Sequence, residues 1–276
     1  MMKFIALTLV FAGAVGMAFA ADETPETPEI GTPEVGKQVL QKADLPVNRS
    51  DWKEVKDLGK VVPPDSSEVE PLYYWLFLPS SDSAKSENGY PLLLFLHGAG
   101  ERGSNPEAVK VHGPPKLVET EQGASWPFIT VSPQCPDGKY WSPGQLIALI
   151  DKIASEQNVD RDRIYVTGLS MGGFATWMIL SEIGDRIAAA APICGGFYPD
   201  QVAGLTEIPI WIFHGDSDSV VPVRRSQEMF DALIDAGSEK VKLTLYPGVD
   251  HNSWTATYDN PELYRWFLSN SLKDRK

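Results

Sequence analysis

The stretch Arg163–Gly173, RIYVTGLSMGG, decides how the rest of the chain is read. Ile164–Thr167 is an apolar run of strand length, and from Phe174 to Ile183 the pattern turns helical, closed by Gly184. Between them Gly168-Leu169-Ser170-Met171-Gly172 spells G-x-S-x-G. With a strand before it and a helix after it, that pattern describes a sharp turn that lifts a serine hydroxyl clear of a sheet. The residues two before and two after the serine must be small for strand and helix to approach, and Gly168 and Gly172 meet that demand. The turn also aims a helix N-terminus at whatever reacts there. Ser170 is therefore the candidate nucleophile.

On either side of this turn, apolar runs of strand length recur at Leu72–Leu78, Leu92–His97, Phe128–Ser132, Ile187–Ile193, Ile210–His214 and Val241–Tyr246. Several are apolar without alternation, as expected where both faces of a parallel sheet are covered. Helical patterns lie between them. Ser142 and Pro143 fit the N-cap and first position of a helix burying Leu146, Ile150 and Ile153. Met229, Leu233 and Ile234 form a stripe closed by Gly237, and Asn260-Pro261 opens a last helix. Strand alternating with helix predicts a three-layer α/β sandwich.

Composition agrees with a folded globule, at 43% hydrophobic and 22% charged residues over 276 positions. The formal net charge of −13 argues against nucleic acid as a partner. Lys3, the apolar run Phe4–Met17 and Ala18-Phe19-Ala20 read as a signal peptide over residues 1–20, so a secreted or periplasmic protein without integral membrane association is expected. Residues 21–37, ADETPETPEIGTPEVGK, are Pro-, Glu- and Thr-rich and read as a disordered tether. Residues 38–276 read as a single domain. Between Cys194 and Ile208 the chain is too short for an inserted cap domain, and the stretch before Leu72 leaves no room for a β-propeller.

An elbow serine needs a base and an orienting acid, in chain order Ser, Asp or Glu, His. The chain has four histidines. His251 alone lies in a loop beyond the last strand; His97 and His214 sit at strand ends before glycines, where a histidine braces a turn, and His112 reads as a loop residue. FHGDSDSVVP, after Ile210–His214, offers Asp216 and Asp218 as the acid.

A second glycine cluster, PLLLFLHGAGERG over Pro91–Gly103, contains G-x-G-x-x-G, the pattern of a dinucleotide-binding loop. Such a loop should run straight into a helix, with an acid ending the next strand. Here Pro106 and the Gly-Pro-Pro of 113–115 break the segment after Gly103, and Glu119 and Glu121 precede the next strand instead of ending it. No nucleotide or other cofactor is expected, and no metal. With an elbow downstream, HGAG is where a hydrolase keeps its oxyanion hole, and the N–H groups of Ala99 and Met171 are the expected donors.

HGAGERG, HGPPK, SPQCP, GLSMGG, PICGG, HGDSDSVVP and DHNSW occur in that order. The ordered set resembles the secreted bacterial α/β-hydrolases catalogued as predicted peptidases or esterases, relatives of prolyl-oligopeptidase-like, dienelactone-hydrolase-like and feruloyl-esterase-like enzymes. The resemblance runs from about Leu72 to Leu268. It implies the α/β-hydrolase fold, with a mostly parallel sheet of about eight strands, and a triad of Ser170 as nucleophile, Asp218 as acid and His251 as base. The residues also favour Asp218 over Asp216. Asp216 follows the turn at Gly215 at once and is placed to cap its own loop, whereas Asp218 lies two residues further, within reach of the imidazole.

The expected activity is hydrolysis of carboxylic esters through an acyl-enzyme, on bulky or polysaccharide-linked substrates, because no accessory domain narrows the site. A serine peptidase acting on short peptides is the alternative, and a non-catalytic surface-binding protein on the same fold is a third. Trp141, Trp254 and Arg102 are the expected substrate-binding residues. Cys135 and Cys194 are expected to be unpaired: the strands they follow are separated by two others, and three strand spacings of about 4.8 Å exceed the roughly 7 Å limit of a bridge.

Overall fold

Leu92–Leu96 reads LLLFL, and every residue in it is 1% exposed or less. A strand with no polar face must be covered on both sides. It belongs to β3 (Tyr90–Leu96) in an eight-stranded sheet with β1 (Gln38–Pro46), β2 (Val69–Phe77), β4 (Ile129–Pro133), β5 (Val159–Leu169), β6 (Ala189–Ile193), β7 (Ile210–Gly215) and β8 (Val241–Tyr246). The order across the sheet is β1-β2-β4-β3-β5-β6-β7-β8. β1 with β2 and β2 with β4 are antiparallel pairs; the rest are parallel. This is the α/β-hydrolase fold. The computed structural model describes residues 28–47 and 69–275. The signal peptide expected at 1–20 and the first part of the expected tether lie outside the described residues.

Among the described residues six helices accompany the sheet: α1 (Gly113–Leu117), α2 (Pro143–Glu156), α3 (Met171–Ile183), α4 (Arg224–Asp235), α5 (Trp254–Tyr258) and α6 (Pro261–Leu268). The expected caps form. Ser142 Oγ accepts the Gln145 N–H at 3.3 Å, and Asn260 Oδ1 accepts the Glu262 N–H at 3.0 Å, each followed by proline. Alternate residues of β3 feed two cores. Leu94 and Leu96 join Ile150, Trp177 and Met229 on the face covered by α2, α3 and α4. Leu93 and Phe95 join Tyr165, Phe213 and Phe267 on the face covered by α5 and α6. Among the described residues no helix is long and apolar enough to cross a membrane.

Two elements differ from the sequence pattern. β1 carries Gln38, Gln41, Lys42 and Asp44 among its apolar residues, so its run is broken; as an edge strand it keeps one side in water. β5 begins at Val159, five residues ahead of the apolar run, because its polar start is internally satisfied. Asp160 there accepts from Arg163 at 2.8 Å and Ser86 at 2.6 Å. Within the segment expected as tether, the Gly31 N–H bonds Leu40 O at 3.1 Å and the Gly36 N–H bonds Leu78 O at 2.8 Å. Between β6 and β7 there are only two short 3-10 turns, Pro199–Gln201 and Ala203–Leu205. Cys135 and Cys194 are free and buried, with β3 and β5 lying between the strands they follow.

Candidate active site

The chain leaves β3 for β4 on one side and returns as β5 on the other, so the carboxyl ends of β3 and β5 flank the crevice where open α/β sheets bind ligands. Leu96 pairs with Gly168 at that rim. The loops after β3, β5, β7 and β8 meet there.

Ser170 has φ 50° and ψ −114°, a backbone conformation L-residues rarely adopt. It is over-determined by its surroundings. Its N–H bonds Ile193 O at 3.0 Å, and its carbonyl accepts the Phe174 N–H at 3.0 Å. A Cβ at Gly172 would lie 1.9 Å from Leu96 O, and one at Gly168 would lie 2.4 Å from Gly172 O, so no larger residue fits either flank. The Tyr140 hydroxyl donates to Met171 O at 3.1 Å and ties down the first residue of α3.

The turn brings Ser170 Oγ to 3.0 Å from His251 Nε2, and His251 Nδ1 lies 2.7 Å from Asp218 Oδ2. The other carboxylate oxygen, Oδ1, accepts the N–H groups of Val220 at 2.9 Å and Val221 at 2.8 Å. The Asp218 side chain is fully covered, while that of His251 is 18% exposed. Asp216 points elsewhere: its Oδ1 accepts from Gly248 N–H at 2.7 Å and Ser217 Oγ at 2.9 Å, joining two loops. Asp250 takes the Ser219 N–H at 2.8 Å and the His251 N–H at 2.7 Å, and these bonds, that of Ser219 first, hold its carboxyl below the usual range.

The loop after β3 is held by its carbonyls. Trp141 Nε1 donates to His97 O at 3.3 Å, Arg102 Nε to Ala99 O at 3.1 Å, and Gln134 Nε2 to Glu101 O at 2.7 Å. The Gly98 N–H is taken by Glu101 Oε2 at 2.9 Å. Burial lowers the His97 imidazole to about 4, so it is neutral; Nδ1–H donates to Gly98 O at 2.7 Å and Nε2 accepts the Cys135 N–H at 3.0 Å. Met171 opens α3, where the first N–H groups have no carbonyl within the helix to bond.

Of the three residues expected to touch substrate, Trp254 lies beside His251, its ring edge-on to the imidazole with centroids 5.2 Å apart. Trp141 is 3% exposed and packs on His97, beneath the loop and away from open surface. Arg102 gives its nitrogens to Ala99 O and, at 3.1 Å, to Lys139 O. His112 stands at the rim against Trp254 at 5.5 Å, its Nε2 3.7 Å from Glu101 Oε1.

His214, expected to brace a turn, has its Nε2 2.9 Å from Val221 O in the loop after β7; the same nitrogen lies 3.1 Å from Asp218 Oδ2, a contact the sequence reading did not include. A strand-end histidine gives no sign of this; its spacing of four to Asp218 is the one signal in the sequence. Among the described residues, one group could suggest a metal: ligand atoms of Cys194, Asp218 and His251 lie within 4.8 Å of one another. It suits a metal poorly. Burial pushes the Cys194 thiol up to about 12, keeping it protonated, and Asp218 already accepts from two N–H groups and two imidazoles.

With this geometry in hand, residues 143–262 match the dienelactone hydrolase family. A bifunctional acetylxylan esterase/xylanase of Neocallimastix patriciarum is 28% identical over 186 residues, covering 64% of this chain and 26% of that protein. An uncharacterized peptidase of Bacillus subtilis is 23% identical over 226 residues, covering 64% of this chain and 33% of that protein. The chain thus spans a third or less of the length of these two relatives. Among solved structures, a thermostable esterase superposes with a TM-score of 0.66 at 34% identity, over 75% of this chain and 61% of that one.

Proposed function

We propose that this α/β-hydrolase-fold protein, with its dienelactone hydrolase segment, is a serine esterase. In this reading Ser170 is the nucleophile, His251 the base and Asp218 the orienting acid. The observation that carries it is the unbroken line from Ser170 Oγ through both ring nitrogens of His251 to Asp218, at 3.0 and 2.7 Å. His251 Nε2 takes the hydroxyl proton as Oγ attacks the ester carbonyl. The oxyanion forms between the N–H groups of Ala99 and Met171. The alcohol leaves with the proton from Nε2, and water, deprotonated by the same nitrogen, releases the acid from Ser170.

The substrate proposed is a bulky or polysaccharide-linked ester. No inserted domain follows β6 to narrow the rim, and Trp254 offers an aromatic wall beside His251. The likeness to an acetylxylan esterase supports the same class. Action on such a polymer fits the export proposed from residues 1–20, with residues 38–276 as the catalytic domain. Peptide hydrolysis is the second reading, favoured by the peptidase among the relatives.

Parallel assays on p-nitrophenyl acetate, acetylated xylan and p-nitroacetanilide separate the readings. The proposal expects ester and xylan turnover that Ser170→Ala abolishes, with amide turnover at least a hundredfold slower. Amide turnover equal to ester turnover would instead assign a peptidase.

A further inference from the structure

Asp218 is bound on more sides than a triad requires. Oδ1 accepts two backbone N–H groups, from Val220 and Val221, and Oδ2 faces two imidazoles, His251 at 2.7 Å and His214 at 3.1 Å. A carboxylate offers about four lone-pair sites, and here all are used. The side chains of His214 and Asp218 are both fully covered, so water cannot substitute for either contact.

The protonation of His214 follows from its partners. Nε2 lies between two acceptors, Asp218 Oδ2 and Val221 O at 2.9 Å, and therefore carries a proton. Nδ1 lies 2.7 Å from Ser226 Oγ, whose alternative acceptor is Gly195 O at 3.1 Å. Burial lowers the basicity of His214, which leaves the ring neutral, with Nδ1 accepting from the Ser226 hydroxyl. The titratable groups facing Asp218 are His214, His251 and the protonated Cys194 thiol; Asp216 and Asp250 direct their carboxylates to Gly248 and Ser219.

We propose that His214 is a positioning residue for the proposed triad, donating its Nε2–H to the carboxylate oxygen that His251 uses. The contact does two things. It fixes the plane of the carboxylate, so that Oδ2 stays aimed at His251 Nδ1 through the catalytic cycle. It also withdraws charge from Oδ2, so the carboxylate stabilises the His251 imidazolium less than it would alone. Ser226 Oγ, 2.7 Å from Nδ1, anchors the far side of the His214 ring and keeps Nε2 in place.

The inference rests on the serine-hydrolase reading, and the test separates the two. Wild type, His214→Met and His214→Gln are compared by kcat and KM on p-nitrophenyl acetate from about pH 5 to 9, by thermal melting and by fluorophosphonate labelling of Ser170. Gln keeps an amide N–H at the reach of Nε2; Met keeps the bulk and loses the donor. For Met, kcat should fall about ten- to a hundredfold, the worth of one hydrogen bond to a charged group, with KM within about twofold. The midpoint of its acid limb should rise, since Oδ2 regains charge. Gln should recover to within about fivefold of wild type, with the midpoint restored.

Equal losses in both variants, or a Met variant with wild-type kcat and midpoint, would overturn the proposal. If the Met variant does not fold, the Gln variant and Ser226→Ala decide. A Gln variant near wild type together with a raised acid-limb midpoint in Ser226→Ala sustains the proposal; failure of either overturns it. A wild-type enzyme whose Ser170 does not label defeats the triad reading itself; one that labels, beside unaltered His214 variants, defeats only this inference.

Discussion

His97 and His214 stand at the carboxyl ends of two strands of the same sheet, His97 just beyond β3 and His214 as the penultimate residue of β7. Each ends an apolar run, LLLFLHG and IWIFHG; each precedes a glycine, and each is 0% exposed. Their partners differ. His97 spends both ring nitrogens on backbone, Gly98 O and the Cys135 N–H, and so shapes the loop that carries Ala99. His214 spends one on Ser226 and shares the other between Val221 O and the Asp218 carboxylate, and so reaches the proposed chemistry directly. The difference lies in what stands four residues on: Glu101 turns back to the Gly98 N–H, whereas Asp218 turns toward His251. A buried strand-end histidine is a bracket, and the loop after it decides what is hung there.

Substitutions around the two brackets should differ in both kind and size. Ser170→Ala or His251→Ala should give the largest loss, on the order of 10⁵–10⁶ in kcat, with an unchanged melting temperature, as residues acting as a unit fail together. Asp218→Asn should cost about 10⁴ in kcat with KM little changed, because a carboxylate held by four donors orients the base without touching substrate. Steady-state kinetics on one ester checks both. If Asp216→Asn proves the inactive variant, the assignment of the β7 loop is inverted.

His97→Gln tests the other bracket through stability. His97 is held neutral down to about 4, while a free imidazole takes up its proton near 6.5. Between those values the unfolded chain binds more protons than the folded one, so stability is full above about 6.5 and falls as the pH drops toward 4. Melting curves should show that His97→Gln is less stable at neutral pH and loses less on acidification. His214, also lowered by burial, keeps part of the slope in that variant. The smallest effect belongs to Asp216→Asn: about 1 kcal/mol of stability, from a weakened link to Gly248, with turnover within about twofold of wild type.

How much of this was legible in the sequence depends on whether the determining contact is local. The elbow was legible, because Gly168, Ser170 and Gly172 impose their own geometry within five residues. Asp218 was separable from Asp216 by position relative to Gly215, but the partner of Asp216 was not legible: it takes the Gly248 N–H, 32 residues on, instead of capping its own loop. β1 was not legible as a strand, since an edge strand tolerates the Gln, Lys and Asp that break its pattern. Trp141 read as a pocket residue, yet its depth is set by packing on His97, a contact 44 residues away in sequence. The role of His214 depends on the rotamer of Asp218, which the local N–H groups of Val220 and Val221 set together with a tertiary contact to His251, 33 residues on.

Whether Ser170 is a nucleophile primed by His251 is decided by trapping the acyl-enzyme. Rapid acid quench during p-nitrophenyl acetate turnover, followed by peptide mass mapping, should find an acetyl group on the peptide containing Ser170. The burst of p-nitrophenol should match the enzyme in amount, and His251→Ala should show no burst. Turnover with the acetyl group on another residue, or a full burst from Ser170→Ala, would contradict the assignment.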